Sequence, residues 1–178
     1  VDESTGFIKI SRFSATTYDE FMAAMSDLKQ QGLRNLILDM RGNPGGFLDA
    51  ATNISDELIG GKKLIVYTKG KARPRTSYYT KRDGIFEEGR LMVLIDEGSA
   101  SASEIVAGAI QDWDRGTILG RRSFGKGLVQ EQTELSDGSA IRLTIARYYT
   151  PTGRSIQKPY EKGVAEYEEE LYSRFKHG

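Results

Sequence analysis

The sequence contains no cysteine and a single histidine, His177, next to its last residue. Without cysteine the chain has no disulfides, no thiol nucleophile and no thiolate metal ligand. One histidine at the very end makes a Ser-His-Asp triad implausible, so lysine remains as the base for a reactive serine. Zinc prefers Cys and His ligands. We therefore expect no metal site and no cofactor.

The chain also lacks a net charge and any long hydrophobic run. Lys and Arg total 25, equal to Asp and Glu, so the net charge is zero and no nucleic-acid or anionic membrane partner is indicated. No apolar run reaches the length of about 20 residues that spans a bilayer. Residues Val1 to Gly6 lack the features of a signal peptide and resemble a cut made just before a strand.

The 178 residues fit one domain in which apolar strands alternate with helical segments. This alternation predicts an α/β fold with a mainly parallel sheet flanked by helices. Ser136-Asp137-Gly138 predicts a β-hairpin appendage. We interpret 69–90 as a hairpin or flap outside the core, and 161–178 as a peripheral helix or frayed end. The predicted strands are 7–10, 36–40, 64–67, 91–95 and 117–119, and the later helices 47–59 and about 102–113.

Two loops follow buried strands of the predicted sheet. The first, Arg41 to Gly46, is rich in glycine, and the second, Ser99 to Ser103, is a serine cluster. In open α/β sheets function concentrates beyond the carboxyl ends of the strands. Both loops are therefore candidates for a functional site.

Ser101 has two interpretations. It opens a helix, where the N–H of Ala102 points toward any developing oxyanion and the helix dipole favours negative charge. A second N–H would come from the Gly45-Gly46 turn, since glycine permits close backbone approach. However, Ser101 to Glu104 is also a capping box. On the local pattern alone, a simple cap is favoured.

Lys126 changes that balance. It stands between Gly125 and Gly127, 25 residues after Ser101. A lysine is a general base only when neutral, and burial among small or apolar neighbours is the usual way to achieve this. The alternatives are an exposed lysine in a glycine turn and a phosphate-binding lysine, although a phosphate loop needs Ser or Thr where Gly127 stands. Gln130 would share a face with Lys126 in an extended segment and orient its amine.

Two acidic residues lie on the predicted helix after Ser101. Glu104, about one turn on, either helps to position the site or completes the capping box. Asp112 would be about 16 Å from Ser101 on a continuous helix, so we interpret it as a structural residue at the helix end.

Four motifs together resemble the carboxyl-terminal processing, or tail-specific, proteases. They occur in the family's order, with its Ser-to-Lys spacing, and span most of the chain. They are Asp39-Met40-Arg41-Gly42-Asn43-Pro44-Gly45-Gly46, Gly98-Ser99-Ala100-Ser101-Ala102-Ser103-Glu104-Ile105, Ser123-Phe124-Gly125-Lys126-Gly127 and Tyr148-Tyr149-Thr150-Pro151-Thr152-Gly153-Arg154-Ser155-Ile156.

The resemblance implies a serine endopeptidase core of the ClpP/crotonase-like fold that cleaves proteins near their carboxyl termini. It implies Ser101 as nucleophile, Lys126 as general base and Gln130 in support, with oxyanion donors at Ala102 and at Gly45 or Gly46. The alternatives are a non-catalytic peptide or hydrophobic-ligand binding module, and a crotonase-type acyl-transfer enzyme, both on the same fold. An intact Ser101 and Lys126 argue against the binding module.

The resemblance also sets expectations for organisation and partners. Family members usually carry a PDZ domain, for which 1–178 leaves no room, so we expect an excised core or a PDZ domain placed elsewhere. The expected partner is a protein or peptide substrate with a free C-terminus, and an oligomer is open. The compartment implied is exported, in the bacterial periplasm or cell envelope.

Overall fold

A computed structural model describes residues 2–159, 163, 169–170, 172–173 and 176. His177 and most of the tail lie outside the described residues, and so does most of the predicted helix at 161–178. Residues 169, 170, 172, 173 and 176 have helical backbone.

The core of the molecule is a four-stranded parallel sheet in the order β1-β2-β5-β6. Helix α2 packs on α3 and α1, and α3 also contacts β3 and β6. The predicted α/β class is therefore confirmed, with every pairing in this sheet parallel. The elements are β1 (Thr5–Lys9), α1 (Thr17–Gln30), β2 (Asn35–Asp39), α2 (Leu48–Leu58), β3 (Leu64–Lys69), β4 (Thr76–Tyr79), β5 (Arg90–Ile95), α3 (Ala102–Asp112), β6 (Thr117–Gly120), β7 (Leu128–Glu134) and β8 (Ala140–Tyr149).

Apolar residues at helical and strand spacing form the core between these layers. The central strands and the inward faces of the helices bury large apolar side chains almost completely, as expected for parallel strands covered by helices. The largest buried side chains include Phe13, Phe21, Met25, Leu36, Leu38, Met40, Ile54, Leu58, Ile65 and Ile110.

A second sheet, antiparallel and in the order β4-β3-β8-β7, lies beside the first. The sequence predicted a hairpin appended to the core. In the structure β7 and β8 do pair around the turn at 135–139, but they are half of this sheet, with β8 also bonded to β3. The outer part of the β7–β8 arm is exposed on both faces, since every residue from Gln130 to Thr144 is exposed.

The prediction for 69–90 needs one correction. β4 does pair with β3 as a hairpin, yet the segment is not entirely outside the core, because Phe86 and Thr80 are buried. Phe86 N–H donates to the Glu57 carbonyl at 2.9 Å, which holds this part of the segment against α2. The polar character of the segment masked these contacts.

Parallel pairing brings two loops to one edge of the core sheet. Asp39 at the end of β2 is in register with Leu94 of β5, so the chain leaves both strands at the same level. No helix in the described part of the chain is both long and apolar enough to cross a membrane.

Candidate active site

The glycine loop after β2 and the serine loop after β5 are bonded directly to each other. Ala100 N–H donates to the Asn43 carbonyl at 2.9 Å, and Gly42 N–H donates to Asp96 Oδ1 at 2.8 Å. The two loops therefore form one unit, as their positions after neighbouring parallel strands predict.

The structure distinguishes the three serines of the cluster. Ser99 and Ser103 are fully buried, and their hydroxyls donate to the carbonyls of Met40 and Asn43 at 2.8 and 3.1 Å. Ser101, between them, is only half-buried. Two of the serines therefore hold the loops together, and Ser101 alone keeps access to solvent.

Ser101 has a backbone conformation that L-residues rarely adopt, with φ of 55° and ψ of −111°. Positive φ in a non-glycine residue costs on the order of 1–3 kcal/mol and is concentrated at functional sites. Helix α3 begins at the next residue, so the Ala102 N–H has no acceptor within the helix. A plain N-cap needs no such strain, because caps normally occupy the β region.

Gly45 meets the serine loop at very short range. A Cβ built on Gly45 would lie 2.7 Å from Ser101 Cβ and 2.8 Å from the Ala102 nitrogen. Its φ of +94° also requires glycine. The glycine turn is therefore in contact with the strained serine and with the first N–H of α3.

The two glycines differ in what their N–H groups do. Gly45 N–H donates to Asn43 Oδ1 at 2.8 Å. Among the described residues no hydrogen bond uses the Gly46 N–H, although Gly46 is pinned against Phe13, whose carbonyl oxygen would lie 1.9 Å from an added Cβ. Of the two predicted oxyanion donors, Gly46 is the one with a spare N–H.

Glu104 joins the serine loop to residues 121–127 between β6 and β7, called here the lysine loop. Its Oε2 accepts from the N–H of Ser101 at 2.9 Å and of Lys126 at 2.8 Å. Its Oε1 accepts from the Gly125 N–H and the Ser123 hydroxyl, both at 2.7 Å. Glu104 as a whole is only 7% exposed. Both sequence interpretations of Glu104 thus apply, because it bonds to the cap residue and also fixes the position of the lysine loop.

The backbone around Lys126 is held on its other side by the segment after β8. Gly127 N–H donates to Gln157 Oε1 at 3.0 Å, and Lys158 N–H donates to the Gly125 carbonyl at 3.0 Å. Gln157 is buried. Both glycines are required here, because a Cβ on Gly127 would lie 2.4 Å from the Gln157 nitrogen and Gly125 has a φ of +87°.

The side chain of Lys126 is exposed, although its small and apolar neighbours were compatible with burial. Gln130 follows on β7 and is exposed as well, with no hydrogen bond to Lys126 among the described residues. The structure brings Ser101, Ala102, Glu104, Gly45 and the Lys126 backbone together, but it leaves the Lys126 amine and Gln130 open to solvent.

A cavity of about 390 Å³ lies behind the lysine loop and not on the face of Ser101. Glu104, Ser123, Gly125, Gln157 and Lys158 line it, whereas Ser101 and Lys126 do not. These lining groups are the ones that hold the lysine loop. The cavity is therefore enclosed by residues that hold the lysine loop in place, and not by the proposed nucleophile or base.

Sequence reasoning missed two supporting residues, Asn43 and Gln157. Asn43 is fully buried and also donates to the Ile10 carbonyl at 2.8 Å, so it ties the residue that follows β1 to both loops. Its place in the glycine motif was the available signal, since Asn is common in turns. Gln157 had no signal, because its partner Gly127 is 30 residues away in sequence.

Asp112 is structural, as predicted. At the end of α3 it accepts from the Thr152 N–H at 2.9 Å and hydroxyl at 2.7 Å, and from the Arg154 guanidinium. Burial raises the pKa of Asp112, but hydrogen bonds from Thr150, Thr152 and Arg154 outweigh it and hold that pKa below its ordinary value. Asp112 thus anchors the turn of the fourth motif.

Comparison with known proteins agrees with this geometry. The family model described as peptidase family S41 matches residues 4–166. The chain is 43% identical over 156 residues to a carboxyl-terminal-processing protease of Synechocystis sp., covering 88% of this chain and 36% of that protein. It is 38% identical to the chloroplastic C-terminal processing peptidase of Tetradesmus obliquus, covering 88% of this chain and 33% of that protein.

A solved structure is similar over the same region. The photosystem II D1 C-terminal processing protease superposes with a TM-score of 0.82 at 38% identity, covering 86% of this chain and 39% of that one. The chain spans about a third of the length of the curated relatives it matches. From the family match and these identities, the chain belongs to peptidase family S41.

Proposed function

We propose that this chain is the catalytic core of a serine endopeptidase that cleaves proteins near their carboxyl termini, with Ser101 as nucleophile and Lys126 as general base. The observation that carries the proposal is Glu104, whose carboxylate binds the backbone N–H groups of both Ser101 and Lys126. This carboxylate holds the backbones of the two residues close together, and a Ser-Lys dyad further requires the Lys126 amine to come within hydrogen-bond reach of the Ser101 hydroxyl.

The reaction begins with a proton transfer. The neutral amine of Lys126 takes the Ser101 hydroxyl proton as Oγ attacks the carbonyl carbon of the peptide bond. The oxyanion accepts hydrogen bonds from the Ala102 N–H and, as second donor, the Gly46 N–H. The Lys126 ammonium then donates its proton to the departing amine, leaving an ester on Ser101.

The second half releases the product. Lys126 takes a proton from a water molecule that attacks the ester carbonyl, and it returns that proton to Ser101 Oγ as the acid leaves. We assign to Gln130, four residues along the same segment, the role of orienting the amine, which requires its exposed side chain to turn toward Lys126 when substrate is bound.

The exposure of Lys126 adds a requirement to this mechanism. A lysine amine becomes neutral near pH 7 only when it is removed from water. We infer that the substrate chain, laid over the site, covers Lys126 and excludes water around its amine.

Protein substrates follow from the family, and a free C-terminus at the substrate is part of the proposal. The relatives from Synechocystis and Tetradesmus are named for C-terminal processing, and the Tetradesmus peptidase is named as chloroplastic. We propose an exported location in the cell envelope.

Substituting Lys126→Ala tests the dyad. Because the side chain is exposed, the free energy of unfolding of the variant is expected to differ from that of wild type by no more than about 0.5 kcal/mol. The rate of peptide hydrolysis is expected to fall at least about 1,000-fold. Peptide cleavage and the urea midpoint measure the two effects, with Lys62→Ala as the matched exposed-lysine control. Full activity of Lys126→Ala excludes the dyad.

A fluorophosphonate probe separates the enzyme from a binding module on the same fold. Labelling at Ser101, mapped by mass spectrometry and absent in Ser101→Ala, is the expected result. A folded protein that binds peptides but is never labelled at Ser101 supports the binding module instead.

A further inference from the structure

Positive charge is concentrated in one segment of a chain that is neutral as a whole. Residues 62–82 contain five lysines and three arginines and no aspartate or glutamate. Some of these cations have partners, since Arg82 pairs with Glu57 and Arg73 with Glu131. Lys69 and Lys71 form no ion pair among the described residues.

These two lysines meet Arg147 of β8 at a groove of about 420 Å³, called here the basic groove. Its walls come from Lys69, Gly70 and Lys71 on one side and from 144–147 and Tyr149 on the other, with no acidic side chain among them. Gly70 makes the groove possible, because a Cβ there would lie 2.0 Å from the Ile145 carbonyl oxygen.

Two cations of the groove oppose each other directly. Lys69 and Arg147 are in register across the antiparallel β3–β8 pair, and both side chains are exposed. Like charges at directly opposite positions of a sheet destabilise it. Arg147, like the two lysines, has no counter-charge among the described residues, so the groove carries uncompensated positive charge.

The basic groove lies next to the proposed base. Arg147 is in register with Leu128, which follows Lys126 by two residues, and Tyr148 N–H donates to the Gly127 carbonyl at 2.8 Å. The two residues from Lys126 to Leu128 at the start of β7, with one or two strand spacings across, give roughly 8–12 Å between Lys126 and the groove. An extended peptide covers that distance in about two to four residues.

We propose that the basic groove binds acidic side chains of the protein substrate, two to four residues from the bond that is cleaved. The proposal rests on the peptidase function proposed above and gives that site a preference among substrates. A short acidic peptide fits better than nucleic acid, because the chain is neutral overall and the groove offers three cations next to the site of cleavage.

Binding is measured with the Ser101→Ala protein, so that no turnover is needed. Two labelled short peptides, amidated at the C-terminus, differ only in three Glu against three Gln. We expect the Glu peptide to bind about tenfold more tightly at low salt, with the difference shrinking at physiological salt, as for exposed ion pairs. Combining Lys69→Gln, Lys71→Gln and Arg147→Gln removes the difference.

The matched control combines Lys62→Gln, Lys81→Gln and Arg90→Gln, three exposed cations outside the groove, and it keeps the preference. Equal affinity for the Glu and Gln peptides overturns the proposal, and so does an equal loss in the control. A Gln peptide with a free C-terminal carboxylate that binds as tightly as the Glu peptide shows that the groove reads the chain terminus instead.

Cleavage assays with wild-type protein supply the second readout. The groove variant is expected to lose about tenfold in kcat/KM on a Glu peptide and to keep its rate on the Gln peptide. Loss of cleavage on both peptides contradicts a specificity role. If the proposed dyad is wrong, the Lys126→Ala cleavage assay shows it. The affinities of the Ser101→Ala protein for the Glu and Gln peptides do not depend on that result.

Discussion

The segments that carry Ser101 and Lys126 are held in different ways. The Ser101 loop follows a buried parallel strand, and its neighbours Ser99 and Ser103 are fully buried. The Lys126 loop leads into β7, whose residues from Gln130 onward are all exposed. Core packing thus positions the nucleophile, whereas a few hydrogen bonds from Glu104, Gln157 and Lys158 position the base. Substitutions in the Lys126 loop should therefore affect activity more than stability.

The largest effect is expected where the nucleophile region is packed most tightly. Gly45→Ala places a Cβ 2.6 Å from the Ala100 carbonyl oxygen and strains a φ of +94°. We expect a loss of about 2–4 kcal/mol in unfolding free energy and of more than about 100-fold in kcat/KM. Urea unfolding and peptide cleavage measure the two losses.

Gly42→Ala is the matched control for that substitution. It has a φ of +71°, but nothing lies within 4 Å of an added Cβ, so only backbone strain of about 1 kcal/mol is expected. If both variants behave alike, contact between the two loops is not what Gly45 provides.

Glu104→Gln tests the link between the two regions. The amide replaces one of the two acceptor oxygens with a donor, so either the Gly125 N–H or the Lys126 N–H loses its partner. We expect a loss of about 2–3 kcal/mol in stability, from hydrogen bonds to a buried charge, and of about 10–100-fold in kcat. The rate of fluorophosphonate labelling at Ser101 and the urea midpoint are measured together.

The control for Glu104 is Asp112→Asn, at the other end of the same helix. It should lose stability while keeping the labelling rate, because Asp112 binds the turn at Thr152 and not the lysine loop. If the Glu104→Gln protein is less stable but is labelled at the wild-type rate, then Glu104 acts only as a helix cap.

The smallest effect concerns pH. Hydrogen bonding lowers the folded-state pKa of Asp112 below its ordinary value, against the effect of burial. Its contribution to stability is therefore complete above the unfolded-state pKa of about 3.9 and is lost as pH falls through the folded-state pKa. The difference in urea midpoint between wild type and Asp112→Asn should be constant from about pH 5 to 7 and shrink below about pH 4. A difference that grows on acidification contradicts the assignment.

Much of the fold was predictable because its signals are local. Buried strands such as 91–95 and the helix after Ser101 depend on apolar runs and periodicity, and the structure has both within one or two residues of the predicted bounds. The second sheet was not predictable, since the pairing of β3 with β8 joins residues about 80 positions apart. Exposed, polar strands carry no periodic apolar signal that would reveal such a pairing.

The sequence by itself determined the chemistry that is available: one terminal histidine, no cysteine, and a serine and a lysine in a spacing that resembles one family. Residue types and local order need no tertiary contacts. Only the tertiary structure decided that Ser101 is the accessible serine, that Glu104 binds both loops and that the Lys126 side chain is exposed. These properties depend on which distant segments pack together, and burial and hydrogen-bond partners exist only once that packing has formed.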